Sequence, residues 1–221
     1  MHLFNMKGPW DRWSSFLYEH VVAEGIGELY DALVDLSFSS LPPGCRVLDI
    51  GCGSGRASVR VARKNPQAKI LGLDLSPDQI RWARRRVQGL TNLDFDVGDA
   101  LNLPLPADRF DIVFSLASIK HWPDPGRGLQ QMYRVCKKGG WVYVIEADRD
   151  ASWKEARDFV SHWKWMVPVT RPIVSLHFLT FVAGQGVRKA SLLGLFQSTG
   201  FRESYVQKIV GHPFVAALGI K

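Results

Sequence analysis

Three acids and a run of glycines carry the chemistry that this sequence advertises. Asp49 lies within an apolar run at residues 46–50, and Gly51, Gly53 and Gly55 follow within five positions. Asp74 closes a second apolar run, 23 residues after Gly51, and Asp99 sits in a third segment reading "VGDAL". Glycines at a strand end strip side chains from a turn, so backbone N–H groups can approach a ligand closely beside a helix N-terminus. Carboxylates at the same edge accept from hydroxyl and amino groups and complement a cation. His121, in "SIKHWPDP", adds an imidazole that titrates near neutral pH and can move a proton.

Those residues need a scaffold that brings three strand ends together. Strand-like runs at 46–51, 69–75, 93–100, 110–118 and 141–148 alternate with helical patterns at 56–65, 78–90 and 126–137. Such alternation implies a parallel sheet covered on both faces. Ser76-Pro77 reads as an N-cap with proline at the first helical position. "KKGG" at 137–140 reads as a turn. After an amphipathic helix at 191–201, two strand-like runs, 204–210 and 214–220, are joined by only Gly211-His212-Pro213. A link so short permits an antiparallel hairpin and excludes a crossover. The sequence therefore predicts an α/β fold: a Rossmann-like, doubly wound, mostly parallel seven-stranded sheet with a C-terminal antiparallel hairpin. One domain spans 1–221, with an N-terminal helical cap (1–43), a ligand-binding core (44–148), a helical cap insertion after the fifth strand (149–189), and the terminal helix and hairpin (190–221).

The chain has 221 residues, 46% of them hydrophobic and 22% charged, which suits an ordinary globular domain. Cys45, Cys52 and Cys136 form neither a metal spacing nor an even-numbered disulfide framework, so a reducing, cytoplasmic setting and no metal are expected. The N-terminus lacks the continuous apolar core of a signal peptide. Residues 165–184 are apolar but contain Pro168, Arg171, Pro172 and His177. A spanning helix needs about 20 residues with few or no charges, so this stretch reads as a cap over a pocket. The formal charge is +7, and nine basic residues fall between Arg56 and Arg86. That cluster suits either the solvated faces of two helices or a phosphate-binding surface.

Two ligand classes use a glycine turn of this kind. The dinucleotide fingerprint G-x-G-x-x-G fits Gly51 and Gly53, but its third position is Arg56, with Gly55 one residue early. S-adenosylmethionine calls for a ribose acceptor, an adenine partner and groups that tolerate its positive charge. Asp74 can accept from both ribose hydroxyls, Asp99 from the adenine amino group, and the Ala100 N–H can serve a ring nitrogen. Asp49 complements the ammonium end of the methionyl tail.

In order and spacing, the chain resembles class I S-adenosylmethionine-dependent methyltransferases of the group that modifies small molecules and quinone-like metabolites. "VLDIGCGSG" is similar to that family's first motif, "GLDLS" to its ribose segment and "VGDALNLPLPADRFD" to its adenine segment. "FDIVFSLASIKHWPDP" resembles the fourth-strand motif, and "MYRVCKKGGWVYVIE" the approach to strand five. The close match covers residues 44–147. The resemblance implies S-adenosyl-L-methionine as cofactor, contacted by Asp49, Gly51, Cys52, Gly53, Gly55, Asp74, Leu75, Asp99, Ala100, Leu101 and Ser115. Relatives usually carry two adjacent histidines before "PDP"; here the first is Lys120, and His121 remains.

Methyl transfer is an in-line displacement, so alignment and exclusion of water supply most of the acceleration. His121 is the candidate base for an acceptor that must lose a proton; a histidine packed against Trp122 that orients its loop fits equally. Lys120 reads either as a binder of an anionic substrate or as a solvated lysine. Trp13, Tyr18, His162 and Trp165, in the two caps, are candidate substrate contacts for an apolar or aromatic acceptor, against packing of the caps onto the sheet. Three functions follow: a small-molecule methyltransferase, an RNA methyltransferase using the Arg56–Arg86 surface, or a non-catalytic or redox protein sharing the fold. No Asn/Asp-Pro-Pro-aromatic motif follows strand four, where "SLASI" stands, which argues against methylation of exocyclic base nitrogens. The acid–glycine set argues against the third.

Overall fold

The structure is a computed structural model and describes Val34, Phe38 and residues 40–161 and 168–221. Seven strands form one sheet: β1 (Arg46–Ile50), β2 (Lys69–Asp74), β3 (Leu93–Val97), β4 (Phe110–Leu116), β5 (Cys136–Ala147), β6 (Glu203–Lys208) and β7 (Phe214–Ile220), in the order β3-β2-β1-β4-β5-β7-β6. Strands β1 to β5 pair in parallel, with Val47 opposite Ile70 on one side and Ile112 on the other. β7 runs antiparallel to both β5 and β6, as the short 211–213 link requires. The order reverses between β1 and β4, the place where doubly wound sheets bind ligands beyond their carboxyl ends.

Helices α1 (Arg56–Lys64), α2 (Pro77–Arg86), α3 (Pro125–Val135) and α6 (Lys189–Thr199) follow from local signals. α2 starts at Ser76, whose hydroxyl accepts from the Gln79 N–H at 3.4 Å, with Pro77 next. α3 starts at Asp124, whose carboxylate accepts from the Arg127 N–H at 2.9 Å. Each strand sends alternate side chains to opposite faces, so two cores form. Val47, Ile70, Ile112 and Phe114 pack with α1 and α2, while Leu48, Ile50, Val113 and Val142 pack with α3 and α6.

The described part of the apolar stretch, residues 168–184, is broken into short helical segments. Where described, it folds as a 3₁₀ turn at Pro168–Thr170, helix α5 (Arg171–His177) and a π turn at Phe178–Val182. No helix among the described residues is long and apolar enough to cross a membrane. Helix α4 (Trp153–Ser161) precedes it. Phe159, Phe178 and Phe214 pack ring against ring, with centroids 5.2 to 6.2 Å apart, and seat this insertion on β7. Of the predicted N-terminal helices only Val34 falls among the described residues; it is buried and helical, and just beyond it Phe38 donates its N–H to the Val34 carbonyl at 2.8 Å and packs on Phe114 at 4.9 Å and Tyr143 at 5.7 Å.

Two local expectations differ. The helix predicted to reach Lys137 ends at Val135, and "KKGG" belongs to β5 rather than to a free turn. The cause lies at the far end of the chain. Lys221 exchanges backbone hydrogen bonds with Gly139 and Gly140, and its ammonium donates to the carbonyl oxygens of Arg134 and Cys136.

Candidate active site

The carboxyl ends of β1, β2 and β3 open on one cleft, whose wall also takes in the segment that follows β4. The turn after β1 has the form it has because three of its residues adopt left-handed backbone: Gly51 at φ +71°, Gly53 at +53° and Gly55 at +79°. Side chains at such angles are strained. Close approach adds a second reason. A Cβ on Gly51 would run into Ser118, and one on Gly55 into the Phe95 ring. The N–H groups of Gly51 and Cys52 both donate to the Leu73 carbonyl, at 2.8 and 3.0 Å, which ties the turn to the end of β2.

Three acids stand around this turn. Asp49 is 2% exposed and accepts from the Ser58 hydroxyl at 2.5 Å. Burial, reinforced by the charge of Asp74, pushes its pKa up to about 7 against the pull of the Ser58 bond. Asp74 accepts from the N–H groups of Gly53 and Ser76, both at 2.9 Å. Burial raises its pKa too, opposed by those two donors. The same burial and the two carboxylates hold the Cys52 thiol well above its ordinary value. Asp99 accepts from the Leu101 N–H at 2.8 Å, which fixes its carboxylate in a tight turn at the cleft edge.

Desolvated carboxylates are stabilised by a ligand that brings positive charge and hydrogen-bond donors. A sulfonium with an ammonium tail and a ribose diol brings both; a pyrophosphate set beside Asp49 would bring repulsion instead. One further feature fits a ribose-bearing ligand. The Gln79 Oε1 is buried in the cleft and meets no hydrogen-bond partner among the described residues. The residues present therefore fit S-adenosylmethionine.

The segment after β4 is held by a buried ion pair. Ala117 turns the chain at φ +52°, its N–H donating to the Ile145 carbonyl at 2.8 Å, and a short 3₁₀ turn follows at Ile119–His121. The Lys120 side chain, 5% exposed, pairs at 2.6 Å with Glu146, which is fully buried. Lys120 Nζ also donates to the Ala117 carbonyl at 3.1 Å, and the Lys120 N–H donates to Glu146 Oε2 at 3.2 Å. Glu146 Oε1 also accepts from the Ala147 N–H at 2.7 Å. The segment presents Leu116, Ala117, Ser118, His121, Trp122 and Pro123 to the cleft. Trp122 donates from its indole N–H to the Ser118 hydroxyl at 3.1 Å.

Most of the sequence candidates meet here. Asp49, Gly51, Cys52, Gly53, Asp74, Leu75, Asp99, Ala100, Leu101 and His121 line the cleft. Gly55 does not; it is the N-cap of α1 and packs on Phe95. Ser115 does not either: it is fully buried, its hydroxyl without a partner among the described residues, two positions from Val113 on the α3 side of β4. Lys120 is neither solvated nor turned to a substrate, because Glu146 and Ala117 take its ammonium. Trp13, Tyr18, His162 and Trp165 lie outside the described residues. Gln79 and Ser118, which no feature of the sequence singles out, complete the wall together with Trp122. Of the basic cluster, Arg81 pairs with Asp78 at 2.8 Å, and Arg84 with Asp96 at 3.1 Å and the Phe95 carbonyl at 3.0 Å.

A family model described as a methyltransferase domain matches residues 41–175, more than half of the chain. The chain is 34% identical over 158 residues to 2-methyl-6-phytyl-1,4-hydroquinone methyltransferase 1 of rice, Oryza sativa subsp. japonica. That alignment takes in 69% of this chain and 46% of the rice enzyme, so the chain spans about half the length of that relative. It is 30% identical over 176 residues to the demethylmenaquinone methyltransferase of Listeria monocytogenes, covering 75% of this chain and 73% of that one. A solved S-adenosylmethionine-dependent methyltransferase from Aquifex aeolicus shares the fold, with a TM-score of 0.69 at 15% identity over 95% of this chain and 98% of that one. The chain belongs to the class I S-adenosylmethionine-dependent methyltransferases.

Proposed function

We propose that this chain moves a methyl group from S-adenosylmethionine to a small acceptor of the quinol type. The observation that carries the reading is the cleft: a glycine-rich turn, two desolvated carboxylates and His121 border one space. The names of the rice and Listeria relatives, both quinone-type methyltransferases, favour a hydroquinone over other phenols or amines.

Bound S-adenosylmethionine supplies an electrophilic methyl group on sulfur. In this reading Asp74 holds the ribose hydroxyls, Asp99 and the Ala100 N–H hold the adenine, and Asp49 offsets the positive charge. Leu116, Trp122 and Pro123 give the cleft an apolar stretch that suits a ring and excludes water. His121 Nδ1 or Nε2 accepts the acceptor's hydroxyl proton as that oxygen or its ring carbon attacks. After attack by oxygen the proton stays on the imidazole. After attack by the ring carbon, that carbon sheds its own proton to water and the imidazolium returns the first proton to the oxygen, which restores the ring. In either case the methyl–sulfur bond breaks as the new bond forms, and neutral S-adenosylhomocysteine leaves.

The test is incorporation of labelled methyl from the cofactor across alkylated hydroquinones, simple phenols, amines and total RNA. Label is expected in the hydroquinones. Label confined to RNA or to amines would overturn the acceptor class. His121→Ala is expected to lower kcat about 10²-fold or more while S-adenosylhomocysteine affinity stays within about two-fold. Equal loss of both would make His121 a structural residue.

A further inference from the structure

Gln79 lines the cleft with a buried carboxamide oxygen that no group among the described residues satisfies. It lies one turn into α2, five residues after Asp74, and is only 4% exposed. Its backbone N–H is used by the Ser76 cap. Its carboxamide oxygen is buried with no hydrogen-bond partner among the described residues. Buried amide oxygens are almost always paired, because stripping water from one without replacement is costly. A polar atom left in this state at a binding cleft marks a place where a ligand donor belongs.

Its neighbours say which donor. The atom nearest to where a Cβ on Gly53 would stand is Gln79 Oε1, at 3.7 Å. Gly53 donates its N–H to Asp74, the carboxylate assigned to the ribose. The amide, the bare Gly53 backbone and Asp74 thus form one corner of the cleft. A vicinal diol carries two O–H donors and two acceptor oxygens. A carboxylate can only accept; a carboxamide accepts and donates, so the pair together can satisfy both hydroxyls.

We infer that the Gln79 carboxamide is a second ribose contact beside Asp74, made to the adenosyl half of the cofactor and not to its amino-acid tail. The inference rests on the cofactor reading above. It also carries an unusual sign. Replacing the amide by an apolar side chain of similar length removes a buried carboxamide oxygen that meets no partner among the described residues, so the protein without added ligand should not lose stability. The cost appears only on binding.

The experiment uses Gln79→Met and Gln79→Leu in the full chain. It measures the melting temperature without ligand, and calorimetric affinities for S-adenosylhomocysteine and for 5′-methylthioadenosine, which keeps the adenosyl half and lacks the tail. Melting temperatures equal to or above that of the unaltered protein are expected, with both ligands weakened about ten-fold, the size of one lost hydrogen bond. Affinities within two-fold of the unaltered protein would overturn the inference. So would a loss confined to S-adenosylhomocysteine, which would move the amide to the tail. Destabilisation of both variants without ligand would show that the amide serves the fold. If the unaltered protein binds neither compound, the cofactor reading fails, a result distinct from any of these.

Discussion

Asp49 joins a structural position to a titration. It lies on β1, sealed against Ser58 and pushed up to about 7 mainly by burial. The unfolded chain would hold that carboxyl near 3.8. Between those values the folded protein keeps a proton that the unfolded chain has lost. Asp49 therefore costs stability progressively as pH rises through that window, and the full cost applies above it. A ligand bearing a sulfonium and an ammonium group reverses the preference by stabilising the carboxylate, so binding expels the proton at pH below about 7. Affinity for S-adenosylmethionine should fall about ten-fold from pH 8 to pH 6. Calorimetry at pH 6 in two buffers of different ionisation enthalpy should register close to one proton released. Asp49→Asn should bind more weakly at pH 8 and lose the pH dependence over this range. If Asp49→Asn keeps the slope, another group is responsible.

The element that carries His121 shows how a local reading and a tertiary fact divide. The acids and glycines after β1, β2 and β3 are legible because strand ends and left-handed turns write themselves into nearby residues. Lys120 is different: its partner, Glu146, lies 26 residues further on, at the end of β5, so the sequence suggests a solvated lysine or a substrate-binding one. Ser115 misleads for a related reason. Its type suits a cofactor contact, but strand alternation sends it with Val113 toward α3, and this part of the cleft is built from Leu116 at the strand's end and from residues beyond it. Gln79 gives no signal of its own, since burial of an amide in the first turn of a helix depends on what packs over it.

The Lys120–Glu146 pair yields a prediction at this scale. Removing one member of a buried pair strands a charge, whereas replacing both with apolar residues can be neutral. Glu146→Leu alone should lose about 3–5 kcal/mol of stability in urea unfolding. The double variant Lys120→Met/Glu146→Leu should recover most of that loss. The double variant should still transfer methyl groups more slowly than the unaltered protein. It lacks the ammonium that ties the Ala117 carbonyl, so the 3₁₀ turn bearing His121 loses its tether. A double variant as unstable as the single one would mean that the pair contributes more than mutual neutralisation.

Over the whole molecule, the sheet joins these parts into one response. The cleft draws on the ends of β1 to β4, the four strands on one side of β5, while β7 and β6 close the other side and Lys221 ties the chain's end back to the start of β5. A ligand seated across four strand ends can bind only when all four are in register, so it should stabilise the sheet as a unit and not one loop. The size of the effect follows from mass action: at a hundred times its Kd, a ligand specific for the folded state adds about 2.7 kcal/mol. For a chain of this length each kcal/mol raises Tm by about 2–4 °C, so a rise of about 5–10 °C is expected with saturating S-adenosylhomocysteine. NAD at the same concentration should leave Tm unchanged, because its pyrophosphate at the glycine turn would face the buried carboxylate of Asp49. A rise with NAD and none with S-adenosylhomocysteine would mean that the glycine turn serves a different ligand from the one the three acids are suited to hold.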